Sequence, residues 1–143
     1  MTRAVARLGA TEGYTSLAVG ADQIFAECLV RSAIPFVAVV PCATYEATFA
    51  ERERLVYRHL LAKAARVQVL PFSNPTEDAF LAAGHRVVES SDALLAVWDG
   101  AGARGRGGTG DIVAFALALG RRVLHMNPVN RTLAFIRTED SPL

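Results

Sequence analysis

Lysine is almost missing from this chain. Among its 15 lysine and arginine residues, Lys63 is the single lysine. With the many alanines, this reads as a compositional bias and not as a functional signature. Cysteine is scarce too: Cys28 and Cys42 are too few and too far apart for a metal motif or a disulfide scaffold. Cys28 falls in a helical pattern, as a small core residue would. His59, His85 and His125 are scattered singles, and no spacing makes them a metal or catalytic set. No serine or cysteine stands in a recognisable pattern with a base and an orienting group. A charge excess is lacking: the formal net charge is +1, which gives nucleic acid or an acidic membrane no support as partner. No apolar run reaches transmembrane length. Arg3 and Arg7 are not followed by the apolar stretch of a signal peptide, so the default location is the cytoplasm.

What is present is a chain of 143 residues, 52% hydrophobic, enough for one domain with a real core. Its organising stretch is Ala93 to Gly120. Ala93 to Trp98 is a short apolar run ended by Asp99-Gly100, as in a buried strand. A helix opens near Thr109 to Asp111, with Ile112, Ala116 and Leu119 on one face and Val113 beside them. Gly120 then falls where a left-handed C-cap is expected. Between strand and helix lie Gly100, Gly102, Gly105, Gly107, Gly108 and Gly110. Glycine lets a backbone approach a ligand closely. A helix N-terminus offers unpaired N–H groups and partial positive charge to a phosphate. Arg104 and Arg106 would add charge-assisted hydrogen bonds. The loop matches neither of the two common phosphate-binding glycine motifs, so a plain crossover loop stays open as the alternative.

Along the chain, Met1 to Leu8 reads as a helix end stopped by Gly9, and Tyr14 to Ala18 as a strand. Gly20-Ala21-Asp22 opens a helix to Ser32, with Ile24, Cys28 and Leu29 facing inward. Pro35 to Val40 is a continuous apolar run, the mark of a strand buried on both faces. A long helix is predicted from Tyr45 to Ala65, with Phe49, Val56, Leu60 and Ala64 inward and Glu51 to Arg54 solvated. Arg66 to Leu70 is the next strand. Asn74-Pro75-Thr76-Glu77 resembles a capping box with Asn74 as N-cap. Its helix runs to Glu89, with Phe80, Gly84, Val87 and Val88 inward. Arg122 to Met126 is a final strand, and Leu133 to Ile136 one more apolar fragment. The strand–helix alternation predicts a Rossmann-like α/β three-layer sandwich with a mostly parallel sheet. Residues 1–128 form the domain and 129–143 a tail that adds at most one strand. Ligands in such sheets bind past the strands' carboxyl ends, where strand order reverses.

Three stretches together resemble one superfamily. SLAVGADQIFAECL carries Gly20-Ala21-Asp22 where DprA-like proteins carry Gly-Ile-Asp. DALLAVWDG and GRGGTGDIVAFALALGRRV carry Trp98-Asp99-Gly100 and Gly107-Gly108-Thr109. PCATYEATF is similar to the loop after the third strand. The likeness, over Tyr14 to Pro128, is to the SMF/DprA–LOG (SLOG) superfamily of "lysine decarboxylase-like" domains. It implies binding of a nucleotide or nucleotide-derived small molecule, as a sensor or accessory domain. Members begin with a strand before the first helix, whereas this sequence reads as starting inside that helix: either its start is truncated, or another segment fills the gap, with Leu133 to Ile136 or a partner chain as the candidates. Hydrolases of the group carry PGGxGTxxE. Here Ile112 stands at the glutamate position and Asp111 one residue early, which weakens the alternative, an N-glycosidase acting on nucleoside 5′-monophosphates. Single-stranded DNA binding is the third alternative.

Each candidate has a structural reading beside its functional one. Gly107, Gly108, Thr109 and Gly110 would hold phosphate, or merely cap a helix. Asp99, with Gly100, would read a ribose, or make an Asp-Gly turn. Asp22, with Gly20, would touch the ligand, or complement the helix dipole. Asp111 and Glu46 are the only candidate catalytic carboxylates. Tyr45 would stack on a base, whereas Phe49 and Trp98 read as packing residues. No cofactor or metal is expected. A homodimer is an open alternative to a monomer.

Overall fold

The computed structural model describes residues 1–101 and 108–136. The elements run α1 (Thr2–Leu8), β1 (Gly13–Thr15), α2 (Ala21–Arg31), β2 (Phe36–Val40), a 3-10 turn (Tyr45–Thr48), α3 (Glu51–Lys63), β3 (Arg66–Val69), α4 (Glu77–Glu89), β4 (Ala93–Val97), α5 (Thr109–Ala118), β5 (Arg122–Asn127) and β6 (Thr132–Phe135). The predicted α/β sandwich is the observed one. Phe36–Val40 is buried throughout, as its unbroken apolar run requires. Each of its phenylalanine and valine side chains contributes about 1.5–3 kcal/mol by leaving water.

The sheet is divided. β1, β2 and β3 form one parallel three-stranded sheet in the order β1-β2-β3. β4 and β5 pair in parallel and β6 adds antiparallel to β5, in the order β4-β5-β6. The chain thus steps outward from β1 to β3, returns through α4, and steps outward again from β4. Right-handed crossovers place helices of one direction on one face and those of the reverse on the other. Accordingly α1, α2 and α3 pack in sequence on one side, and α4 packs with α5 on the other. α1 also reaches β5, and α4 crosses β2, so both helices bridge the two sheets. Arg7, in the last turn of α1, lies 5.3 Å over the Phe135 ring, and Arg122 lies 5.6 Å over the same ring. The end of α1 therefore sits at the amino edge of β5 and leads into the amino end of β1, so β1 and β4 run the same way.

Several sequence expectations need correction. β1 is Gly13–Thr15 and stops short of Ala18, because Leu17 adopts φ 57° and turns the chain. The helix expected from Tyr45 to Ala65 breaks at Phe49-Ala50, where the backbone is extended. That break resets the helical phase: Tyr57 is buried and Val56 is 36% exposed, although Leu60 stays in the core. The N-cap of α4 is Thr76, not Asn74: its hydroxyl accepts from Ala79 N at 3.2 Å, while Thr76 N donates to Asn74 O at 2.9 Å in the preceding turn. Ile24 points outward at 54% exposure, as does Leu119 at 43%. Ile24 is exposed although it stands one turn before buried Cys28 on the same side of α2, because it lies at the helix's first turn, at the rim of the core. Val113 and Ala116 take the buried face of α5. Leu133 to Ile136 does not fill the place of a first strand: it lies on the outer side of β5. Gly120 does adopt the expected left-handed φ, 72°, which an L side chain would strain against.

Candidate functional site

The free edges of β1 and β4 face a cavity of about 1200 Å³. It occupies the point where strand order reverses. Its carboxyl-edge mouth is built by three segments: Thr15 to Asp22 after β1, Pro41 to Phe49 after β2, and Gly108-Thr109 at the start of α5.

The first segment is tied down from within. Leu17 is fully buried yet left-handed, a conformation costing roughly 1–2 kcal/mol for a side-chain-bearing residue. Its N–H donates to the Thr15 hydroxyl at 3.2 Å, and its carbonyl accepts from Gln23 Nε2 at 3.1 Å. Gly20, at φ 103°, lets the chain swing into α2. Asp22 in the first turn then points back, and its Oδ2 accepts from Ala18 N at 3.2 Å. Burial raises the Asp22 pKa above the ordinary carboxylate value, although hydrogen bonds from Ala18, Thr15 and Ser16 oppose the rise. Part of the residue remains exposed to the cavity. A strained backbone and a perturbed carboxyl meeting in a cleft make this segment a candidate functional site.

Opposite lies the start of α5. Gly108 is the N-cap and no side chain caps it. Asp111 N and Ile112 N both donate to Gly108 O, at 3.1 and 3.3 Å, so the first intrahelical bonds begin there. The N–H groups of the first turn before them point out of the helix end. Thr109 is exposed beside them and lines the cavity.

The structure brings Asp22, Tyr45, Gly108 and Thr109 to one cavity. Tyr45 is 5% exposed and packs edge-on against Phe49, Tyr57 and Phe80, at ring centroid distances of 5.0, 5.7 and 6.3 Å. This aromatic cluster floors the mouth. Burial, then the neighbouring Asp22 carboxyl, pushes the Tyr45 phenol far up, and burial pushes Tyr57 up to about 12. Gly20, Glu46, Asp99, Gly100, Gly110 and Asp111 do not line the cavity. Glu46 pairs with Arg58, whose guanidinium lowers its pKa. Asp99 Oδ1 accepts from Ala101 N at 2.9 Å, closing the turn after β4. Trp98 donates from Nε1 to Ala101 O at 2.7 Å, and its own carbonyl lies 2.7 Å from His125 Nε2. Gly107, Arg104 and Arg106 lie outside the described residues. Thr15 and Ser16 belong to the mouth and were not singled out in the sequence. Their only signal was two hydroxyl residues shortly before Gly20-Ala21-Asp22.

Among the described residues no three metal-ligating side chains converge, and no helix is long and apolar enough to cross a membrane. No family model matches the chain, and no curated protein matches it.

Proposed function

We propose that the protein binds a nucleotide or nucleotide-derived small molecule at the carboxyl-edge mouth, as a sensor or accessory domain. The observation that carries this is the pairing, across the strand-order reversal, of Asp22 with the N-terminus of α5 in one cavity. The helix end suits an anionic phosphate. Asp22, with Thr15 and Ser16 beside it, suits the hydroxyls of a sugar. The resemblance to the SLOG superfamily supports the same reading. Titration with nucleoside mono-, di- and triphosphates and nucleotide sugars, followed by thermal shift and calorimetry, tests it. Saturable stabilisation that Gly108→Glu abolishes is the expected result, since a carboxylate there repels the phosphate. No stabilisation by any member of the panel overturns it.

A second reading, hydrolysis of an N-glycosidic bond, gains from one observation. Burial shifts the Asp22 pKa upward, the direction in which a carboxyl becomes a better proton donor. The carboxyl for that chemistry would be Asp22, since Asp111 and Glu46 do not line the cavity. Release of free base during the same titrations, lost in Asp22→Asn, decides for it. We propose that a homodimer pairs through the exposed Val67 and Val69 of edge strand β3. Light scattering on Val67→Lys tests that surface.

A further inference from the structure

The cavity is larger than its mouth. Below the mouth it continues as a slot down the whole height of the sheet. All five residues of β4, Ala93 to Val97, line it in succession, as do Gly13, Tyr14 and Thr15 of β1. Side chains of a strand alternate between faces, so consecutive residues can line one space only along the strand's edge. The slot therefore runs between two strand edges. Trp98 N donates to Met126 O at 3.0 Å, so by alternation the N–H groups of Leu95 and Val97 point away from β5, toward the slot. Gly13 N donates to Pro35 O at 3.0 Å, so the N–H of Tyr14 points away from β2, toward the same slot. Open hydrogen-bonding edges are what a sheet ordinarily pairs or covers.

Charged residues line the cavity at its ends, Glu12, Asp92 and Arg122 at the strands' amino ends and Glu77 at the start of α4; between them the other two walls are apolar. Met1 and Leu8 of the α1 segment close one side, and Phe80, Ala83 and Val87 of α4 close the other. Phe80, Gly84 and Val87 have helical spacing and were expected inward from the sequence; Phe80 is 37% exposed because its face looks into this space. An occupant must thus offer hydrogen-bonding groups to two opposite sides and apolar groups to the other two. An extended polypeptide does this: its N–H and C=O groups point sideways, and its side chains point to the two helix layers. A nucleotide, with its charge and its two-sided polar edges, suits the mouth but not the slot.

We propose that the slot is a strand-acceptor site. It takes an extended, apolar β-strand from polypeptide outside residues 1–143, parallel to β1 and β4 and about five residues long to match Ala93–Val97. Insertion would join the two sheets into one, in the order β3-β2-β1-guest-β4-β5-β6. The side chains would be small or β-branched on both faces. A charged or proline-containing segment is excluded by the helix walls and by the double hydrogen-bonding edge. This proposal is independent of the nucleotide reading, since the slot lies beneath the mouth.

The test uses the protein as it stands and a synthetic peptide, Val-Val-Ile-Val-Ala flanked by lysines for solubility. Binding is read by fluorescence anisotropy and by amide hydrogen exchange. The expected result is saturable binding with at least tenfold slower exchange at Tyr14, Leu95 and Val97 together. A peptide of the same sequence, N-methylated at alternate residues, keeps its apolar side chains but loses one hydrogen-bonding edge. It is expected to bind at least tenfold more weakly. Equal binding of the methylated peptide, or protection of only one of the two edges, overturns the proposal. So does full protection of both edges by a nucleotide alone, which would make the slot part of the small-molecule site.

Discussion

Asp22 is the residue at which stability and the proposed binding oppose each other. An acid whose pKa rises on folding costs stability where it is ionised. The cost is absent below the unfolded value of 3.8, grows as the pH rises above it, and is complete once the folded-state pKa is passed. Asp22→Asn keeps an oxygen to accept from Ala18 N and removes the charge. It is expected to raise Tm at pH 7 by roughly 2–4 °C, the effect of about 1 kcal/mol in a domain of this size. The gain should vanish at pH 3, and ligand-induced stabilisation should fall in the same variant. Calorimetry at the two pH values checks both. A loss of Tm at pH 7 would show that the carboxylate is held by more than these hydrogen bonds. Tyr57 gives an independent check on burial near the mouth. Its phenol is expected to ionise only near pH 12, read as a late absorbance step at 295 nm.

Helices and their junctions decide how the walls stand. Gly84 of α4 faces α5 so closely that an added Cβ would lie 2.3 Å from Ile112 Cδ1. Alanine there should gain about 1 kcal/mol in helix propensity. The overlap with Ile112 offsets that gain, so Gly84→Ala alone is expected to be close to neutral. In an Ile112→Ala background the same substitution should stabilise by about 1 kcal/mol, and the double-mutant cycle measures the coupling. Thr76→Ala should cost about 1 kcal/mol through loss of the cap to Ala79 N. Asn74→Ala should cost less, which chemical denaturation resolves. At this scale the sequence was readable where one force acted. The apolar run Phe36–Val40 could only be a buried strand, and Gly120 could only close α5. It misled where two signals overlapped. Asn74 and Thr76 are both good caps, and only the turn made by Pro75 selects the second. The 3-10 turn and α3 read as one helix because the break at Phe49-Ala50 contains no glycine or proline. The mouth was half legible: Gly20-Ala21-Asp22 and Gly108-Thr109 stood out locally. Thr15 and Ser16 did not, because their role depends on a left-handed Leu17 that no propensity announces.

In the whole molecule, protection from solvent does not follow depth alone. β2 has partners on both sides, whereas β1 and β4 are paired on one. Amides of Phe36 to Val40 are therefore expected to exchange slowest. Tyr14, Leu95 and Val97 should exchange at least tenfold faster, although they lie near the middle of the fold. Uniform protection across β1, β2 and β4 would contradict the divided sheet. The strand-order reversal could be anticipated from alternating strands and helices. The division could not, because it depends on which edges remain unpaired, and pairing is a long-range property.

The division also has a mechanical consequence. Strands within each sheet are clamped by rows of hydrogen bonds, while α4 bridges the sheets by apolar packing through Ala79 and Val88 and α1 through Arg7 over the Phe135 ring. Rows of hydrogen bonds loaded in shear are brittle and strong, and packed helices slide at lower force. Held by its two ends in an optical trap, the molecule should part first along the slot, as two halves each still folded, and only later lose its strands.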